Sequence, residues 1–111
     1  MEDKLILLKE YKLFINRYEK LVINLNNSYK DIKTRIINTM YNILEDIYYT
    51  NLLEINKRKN YQRKIIVNVK MLDYYFYKLY KDNIILEINY NKINNNLLTI
   101  LKLVLGWMKW K

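Results

Sequence analysis

The chain has no cysteine, no histidine and no proline, and its only glycine in 111 residues is Gly106. Each absence removes a class of chemistry. Without cysteine there is no disulfide framework, no thiolate nucleophile and no zinc-cysteine site. Without histidine the commonest acid-base group and metal ligand is missing. One glycine cannot build a phosphate-cradling loop. The lack of proline and glycine also leaves little of the punctuation that an all-β or α/β chain of this length uses. Catalysis would have to rest on carboxylates, and these are scattered. Glu45 and Asp46 are adjacent on a predicted helix and point in different directions, while Glu10, Glu19, Asp73 and Glu87 stand apart. No pair has the helical spacing that holds a metal or shares a proton. The composition predicts a binding protein rather than an enzyme, with no catalytic residues, no metal and no cofactor.

Long apolar runs are missing too. The most apolar stretch, Leu97 to Met108, is broken by Lys102 and is too short to cross a bilayer. The opening Met1-Glu2-Asp3 is acidic where a secretory signal would be basic, so a cytoplasmic location without membrane contact is expected. A chain of 111 residues suits one domain with its own core, spanning 1–111.

What is present is helical periodicity. Leu7, Tyr11, Phe14, Tyr18, Leu21 and Leu25 step by four and three, with Leu8, Ile15 and Val22 widening the stripe. Asn26-Asn27 breaks the pattern, and Ser28 with Asp31 forms a candidate capping box for a second helix. That helix carries Ile32, Ile36, Met40, Ile43 and Ile47 on one face, flanked by Ile37 and Leu44. A boundary within Thr50 to Arg58 is weakly marked, because Leu52, Leu53 and Ile55 can extend one helix or start the next. The third seam is Tyr61, Ile65, Val69, Leu72, Phe76 and Leu79, ending near the turn-favouring Asp82-Asn83. The fourth is Ile93, Leu97, Ile100, Val104 and Met108. The spacing predicts helices over about 3–26, 29–50, 57–81 and 89–109, and short links between amphipathic helices predict an all-α, antiparallel four-helix bundle.

Charge is segregated. Between Lys57 and Lys81 lie eight basic residues and one acid, Asp73, so this segment contributes +7 of the formal +9. On a helix turning about 100° per residue, Lys59, Arg63, Lys70 and Lys81 fall in a narrow arc nearly opposite the apolar seam. Lys57, Arg58, Lys64 and Lys78 add to the same segment. Two readings stand side by side: the solvated face of an amphipathic helix, or a surface for a polyanion. An ordinary solvated face mixes both signs, and this one repels itself until something anionic approaches. Asp73, next to Leu72 of the seam, has two readings, a buried ion-pair partner or the favoured one, a surface counter-charge to Lys70 or Tyr77.

The chain holds twelve tyrosines, more than the core of a small bundle takes. Tyr74 and Tyr77 project beside the basic stripe, where aromatic faces stack on unpaired bases or support guanidinium groups; codon bias and helix packing account for them equally well. Ile66 and Val67 lie off the third seam, and with Leu8, Ile37 and Leu53 they suggest apolar surface beyond one core, to be covered by self-association. Arg35 and Asn38, beside apolar neighbours on the second helix, either tie helices or protomers together or meet a partner.

The carboxyl end reads Val104-Leu105-Gly106-Trp107-Met108-Lys109, a bundle helix closing on a small residue and a tryptophan. There the chain resembles the Avd-like family, the accessory variability determinant proteins of diversity-generating retroelements. Tyr11-Lys12-Leu13-Phe14, Arg35-Ile36-Ile37-Asn38-Thr39, Leu72 with Tyr75, and Glu87 through Tyr90 are similar in order and spacing, so the likeness spans nearly the whole chain. Asn26-Asn27 stands where the family commonly has a proline, and Trp107 follows Gly106 without the family's intervening small residue. The resemblance implies a four-helix bundle assembling into a barrel-like homopentamer. It implies nucleic-acid binding, to RNA and as a second candidate DNA, and association with a retroelement reverse transcriptase that makes adenine-mutagenised cDNA from template-repeat RNA. Gly106 and Trp107 would be structural, as a close-packing or helix-terminus residue and a core anchor. The alternatives are an oligomeric protein-interaction scaffold whose basic face docks on an acidic protein, or an RNA-binding bundle like those encoded in ribosomal intervening sequences.

Overall fold

Four helices make up the computed structural model, which describes residues 2–109, with side chains from Ile6 onward. They are α1 (Glu2–Ile23), α2 (Lys30–Leu52), α3 (Lys59–Lys81) and α4 (Glu87–Met108). No strand occurs among the described residues. Each helix packs on its neighbours in sequence, and α4 closes back onto α1. Side-chain pairs give the directions. Lys12 meets Tyr48 and Glu19 meets Tyr41 between α1 and α2; Tyr61 meets Tyr49 and Lys64 meets Asp46 between α3 and α2; Asp73 meets Asn94 and Tyr80 meets Glu87 between α3 and α4. As one number rises its partner falls, so consecutive helices run antiparallel. No described helix is long and apolar enough to cross a membrane.

The core is one cluster to which every helix contributes its seam, including Leu7, Tyr11 and Phe14 of α1, Ile36, Met40, Ile43 and Ile47 of α2, and Ile93, Leu97, Ile100 and Val104 of α4. Phe14 and Phe76 meet edge to face with ring centroids 6.5 Å apart, joining the diagonal pair α1 and α3. Several seams drift at their ends. Tyr18, Leu21, Leu25, Ile32 and Met108 are half-buried, whereas Ile15 and Val22 are buried. A straight helix turns slightly past a seven-residue repeat, so its inward face shifts along its length. On α3 the first inward position is Gln62 instead of Tyr61, and on α4 the last is Trp107 instead of Met108. Tyr11 reconciles its hydroxyl with burial by donating to the Met40 carbonyl at 2.6 Å.

The links differ from the expected ones. The capping box at Ser28 and Asp31 does not form. Asn26 instead accepts from the Ser28 amide through its own side chain, opening a 3₁₀ turn at Asn27–Tyr29, and Tyr29 precedes α2 without a side-chain cap. Lys33 of α2 reaches back to the Leu25 carbonyl at 2.9 Å. Between α2 and α3 a 3₁₀ turn at Ile55–Lys57 carries the chain across, leaving Leu52 84% exposed. After α3, Asn83 adopts φ 61°, the left-handed conformation usually left to glycine. The Ile84 amide bonds the Leu79 carbonyl and the Asn83 amide bonds that of Tyr80, a Schellman closure built without glycine.

Candidate nucleic-acid interface

Because Ile65, Val69, Leu72, Phe76 and Leu79 anchor α3 in the core, the opposite arc is pushed into solvent. Lys59, Arg63, Lys70, Tyr74, Tyr77 and Lys81 occupy about 60° of that arc and are all exposed. Lys78 lies on the edge nearer α2 together with Met71, and Val67 stands between, 58% exposed. Lys57 extends the cationic line onto the preceding turn. The one ion pair among the described residues is Lys64 with Asp46 of α2 at 3.5 Å.

Two of the basic residues are engaged by groups of the bundle itself. Lys64 neutralises Asp46, whose side chain is only 15% exposed. Arg58 is half-buried, its Nε donating to the Leu53 carbonyl at 2.9 Å and a terminal nitrogen to that of Asn51 at 3.3 Å. It closes the carboxyl end of α2, where free carbonyls and the helix dipole favour a cation. Position in the sequence could not separate Arg58 from Lys59, because the break that turns one inward is a 3₁₀ turn without proline or glycine.

Asp73 is also relocated. It is no surface counter-charge to Lys70: its Oδ1 accepts the Tyr90 hydroxyl at 3.0 Å and the Asn94 amide at 2.7 Å, both from α4. The only acid of the segment thus faces the α3–α4 seam. Burial and this acceptor raise the Tyr90 phenol to about 12.

Beside Asp73 the structure assembles an aromatic group of Tyr77, Tyr80 and Tyr90, of which the sequence does not mark Tyr80 and marks Tyr90 only as the end of a motif shared with the Avd-like family. The Tyr80 and Tyr90 rings stack with centroids 5.5 Å apart and planes 6° from parallel. Tyr77 meets them edge-on at 6.2 and 5.7 Å, and the Lys81 ammonium lies 5.9 Å from the Tyr77 and Tyr80 rings. Tyr80 donates weakly to Glu87 across the turn at 3.4 Å. Tyr80 and Tyr90 meet only because the turn folds α4 back on α3, which no local spacing signals. Tyr74 packs more loosely, its ring 6.5 Å from that of Tyr75.

Of the expected partner or self-association contacts, Arg35, Asn38 and Val67 are exposed, while Ile66 is half-buried against the core, as are Leu8 and Ile37. Leu53 is half-buried too. Besides Val67, exposed apolar surface includes Tyr41, Tyr48 and Leu52 along the outer arc of α2, Ile6 of α1, and Leu86 and Ile88 where α4 begins. Lys12 sits over the Tyr48 ring at 5.4 Å, and Tyr41 donates to Glu19, which holds its phenol above the ordinary value. Trp107 is buried at the bundle end, and Gly106 is half-buried in the last turn of α4 with ordinary negative φ.

A depression of about 720 Å³ opens between the α2–α3 link and the end of α4, lined by Ile55, Arg58, Lys59, Gln62, Trp107 and Lys109 among others. A second, about 350 Å³, runs between α3 and α4 past Lys70, Asp73, Asn94 and Leu98. Among the described residues no group of three or more acidic side chains converges. The arrangement therefore offers charge and aromatic faces. Compared with the profiles of known protein families, with curated proteins and with solved structures, the chain matches none.

Proposed function

We propose that this protein is a non-catalytic nucleic-acid-binding subunit that serves a diversity-generating retroelement reverse transcriptase during mutagenic copying of template-repeat RNA. One observation carries the nucleic-acid half. Lys57, Lys59, Arg63, Lys70, Lys78 and Lys81 are exposed along α3 and its approach, without an ion-pair partner among the described residues, while the segment's single acid is bonded to α4. A line of free cations on a rigid helix gains by releasing the counterions of a phosphate backbone. The retroelement assignment is supported by the order of motifs from Tyr11-Lys12-Leu13-Phe14 to Leu105-Gly106-Trp107. Assembly into a homopentamer belongs to the same reading. The outer arc of α2, with Tyr41, Tyr48 and Leu52, provides apolar area for protein contacts away from the cations, and a ring would multiply one modest stripe into a strong site.

The test is RNA affinity against salt for the wild type and for Lys59→Gln/Arg63→Gln/Lys70→Gln/Lys81→Gln. With roughly 0.7 to 0.9 of a counterion released per phosphate contact, the slope of log affinity against log salt should fall by about three in the variant, with helical content unchanged. Light scattering on the nuclease-treated protein should give a roughly pentameric mass. Undiminished affinity in the variant would show that the stripe is the wrong surface, and a monomer indifferent to RNA would leave the resemblance as one of fold alone.

A further inference from the structure

We infer that the half of the stripe from Lys70 to Lys81 binds unpaired nucleotides, whose bases stack on Tyr74 and Tyr77 while the flanking lysines hold the phosphates. The inference rests on the nucleic-acid reading above and narrows it from a charged backbone to a strand with free base faces.

The two halves of the stripe differ in kind. Lys59 and Arg63 have no aromatic residue on their arc, so that half offers charge alone. Lys70, Tyr74, Tyr77 and Lys81 follow at steps of four, three and four, which superposes them on one line with a cation at each end and two phenol rings between. Both rings are exposed, Tyr74 by 55% and Tyr77 by 41%.

The Tyr77 ring is also held in place before any ligand arrives. Tyr80 and Tyr90 pack against it at steep ring angles, and Glu87 and Asp73 respectively accept from their hydroxyls. A fixed ring loses little rotamer entropy on stacking, so more of the stacking energy appears as affinity. Lys81, its ammonium 5.9 Å from the centre of that ring, keeps a positive charge within reach of a stacked nucleotide's phosphate. No carboxylate interrupts the arc, since Asp73 points into the α3–α4 seam. In a duplex the base faces are already covered by neighbouring bases and only the phosphates are available. An unpaired strand uses rings and cations together, and stacking on an aromatic side chain is tolerant of sequence.

The experiment compares an unstructured adenine-rich RNA with a blunt RNA duplex of equal length, at one moderate salt concentration. Proteins compared are the wild type, Tyr74→Leu/Tyr77→Leu, and Tyr74→Phe/Tyr77→Phe, each checked for wild-type helical content. Tyr74→Leu alone substitutes if the double leucine variant does not fold, because Tyr74 packs only loosely against Tyr75. The leucine variant should lose roughly tenfold or more of its affinity for the unpaired strand and keep its affinity for the duplex, while the phenylalanine variant keeps both. Equal loss on both ligands, no loss on either, or loss in the phenylalanine variant would overturn the inference and leave the cationic reading intact. A wild type that binds neither RNA would overturn that reading itself.

Discussion

Tyr90 on α4 donates its hydroxyl to Oδ1 of Asp73 on α3 at 3.0 Å, and this bond links the aromatic group to the only acid of the basic segment. The Asn94 amide reaches the same oxygen at 2.7 Å, so Asp73 keeps a partner if Tyr90 is altered.

The pH dependence follows from the phenol. Burial first, and then the Asp73 acceptor, raise its value from 10.0 to about 12 in the folded state. The folded state thus prefers the protonated form. Its contribution to stability is complete below pH 10 and disappears as pH rises towards 12. Tyr90→Phe should be less stable at neutral pH by about 1 kcal/mol and should lose stability less steeply across that alkaline window. Some slope should persist, because the buried Tyr11 phenol is raised well above its ordinary value too. Denaturant midpoints collected from neutral to strongly alkaline pH would check both expectations.

Arg58 and Lys70 should respond in opposite ways. Arg58→Gln removes the donors that close α2 and should cost about 1 to 2 kcal/mol of folding stability without changing the salt slope of RNA binding. Lys70→Gln should leave the melting temperature nearly unchanged and reduce the slope by about one. If both acted on the slope alike, Arg58 would be serving the partner as well as the helix end.

At Asn83 the left-handed backbone can be relaxed or strained by substitution. Asn83→Gly should stabilise the protein or leave it unchanged, whereas Asn83→Val should cost about 1 to 2 kcal/mol because a β-branched side chain crowds the positive-φ conformation. Thermal unfolding of the two variants beside the wild type reads the difference directly.

The seams legible in the sequence were those where period and burial coincide over many turns. Ile36, Met40, Ile43 and Ile47, and equally Ile65 through Leu79, lie where the three-and-four spacing puts them. The ends of the seams were less legible, as Gln62 for Tyr61 and Trp107 for Met108 show, because helical drift and the closing of the bundle end select the final inward residue. The exposed arc of α3 also follows from periodicity. What spacing could not convey was the use of each charge. Arg58, Lys64 and Asp73 are each engaged by a neighbouring element, through a turn or helix pairing that brings together residues five to twenty-one positions apart in sequence. The turn at Asn26 was similarly hidden: Ser28 and Asp31 had the spacing of a capping box, yet Asn26 captured the Ser28 amide first.

The unbroken length of α3 makes it a ruler. From Lys59 to Lys81 its outer face extends about 33 Å at 1.5 Å per residue, and phosphates along a stacked strand recur about every 3.4 Å, so one such face spans about ten nucleotides. Within that length the cations are unevenly placed, crowded at Lys59 and Arg63 and again at Lys78 and Lys81, with Lys70 alone between. On the proposed reading, a strand laid along it would meet charge alone at Lys59 and Arg63 and rings between cations from Lys70 to Lys81, so it would be gripped unequally along its length.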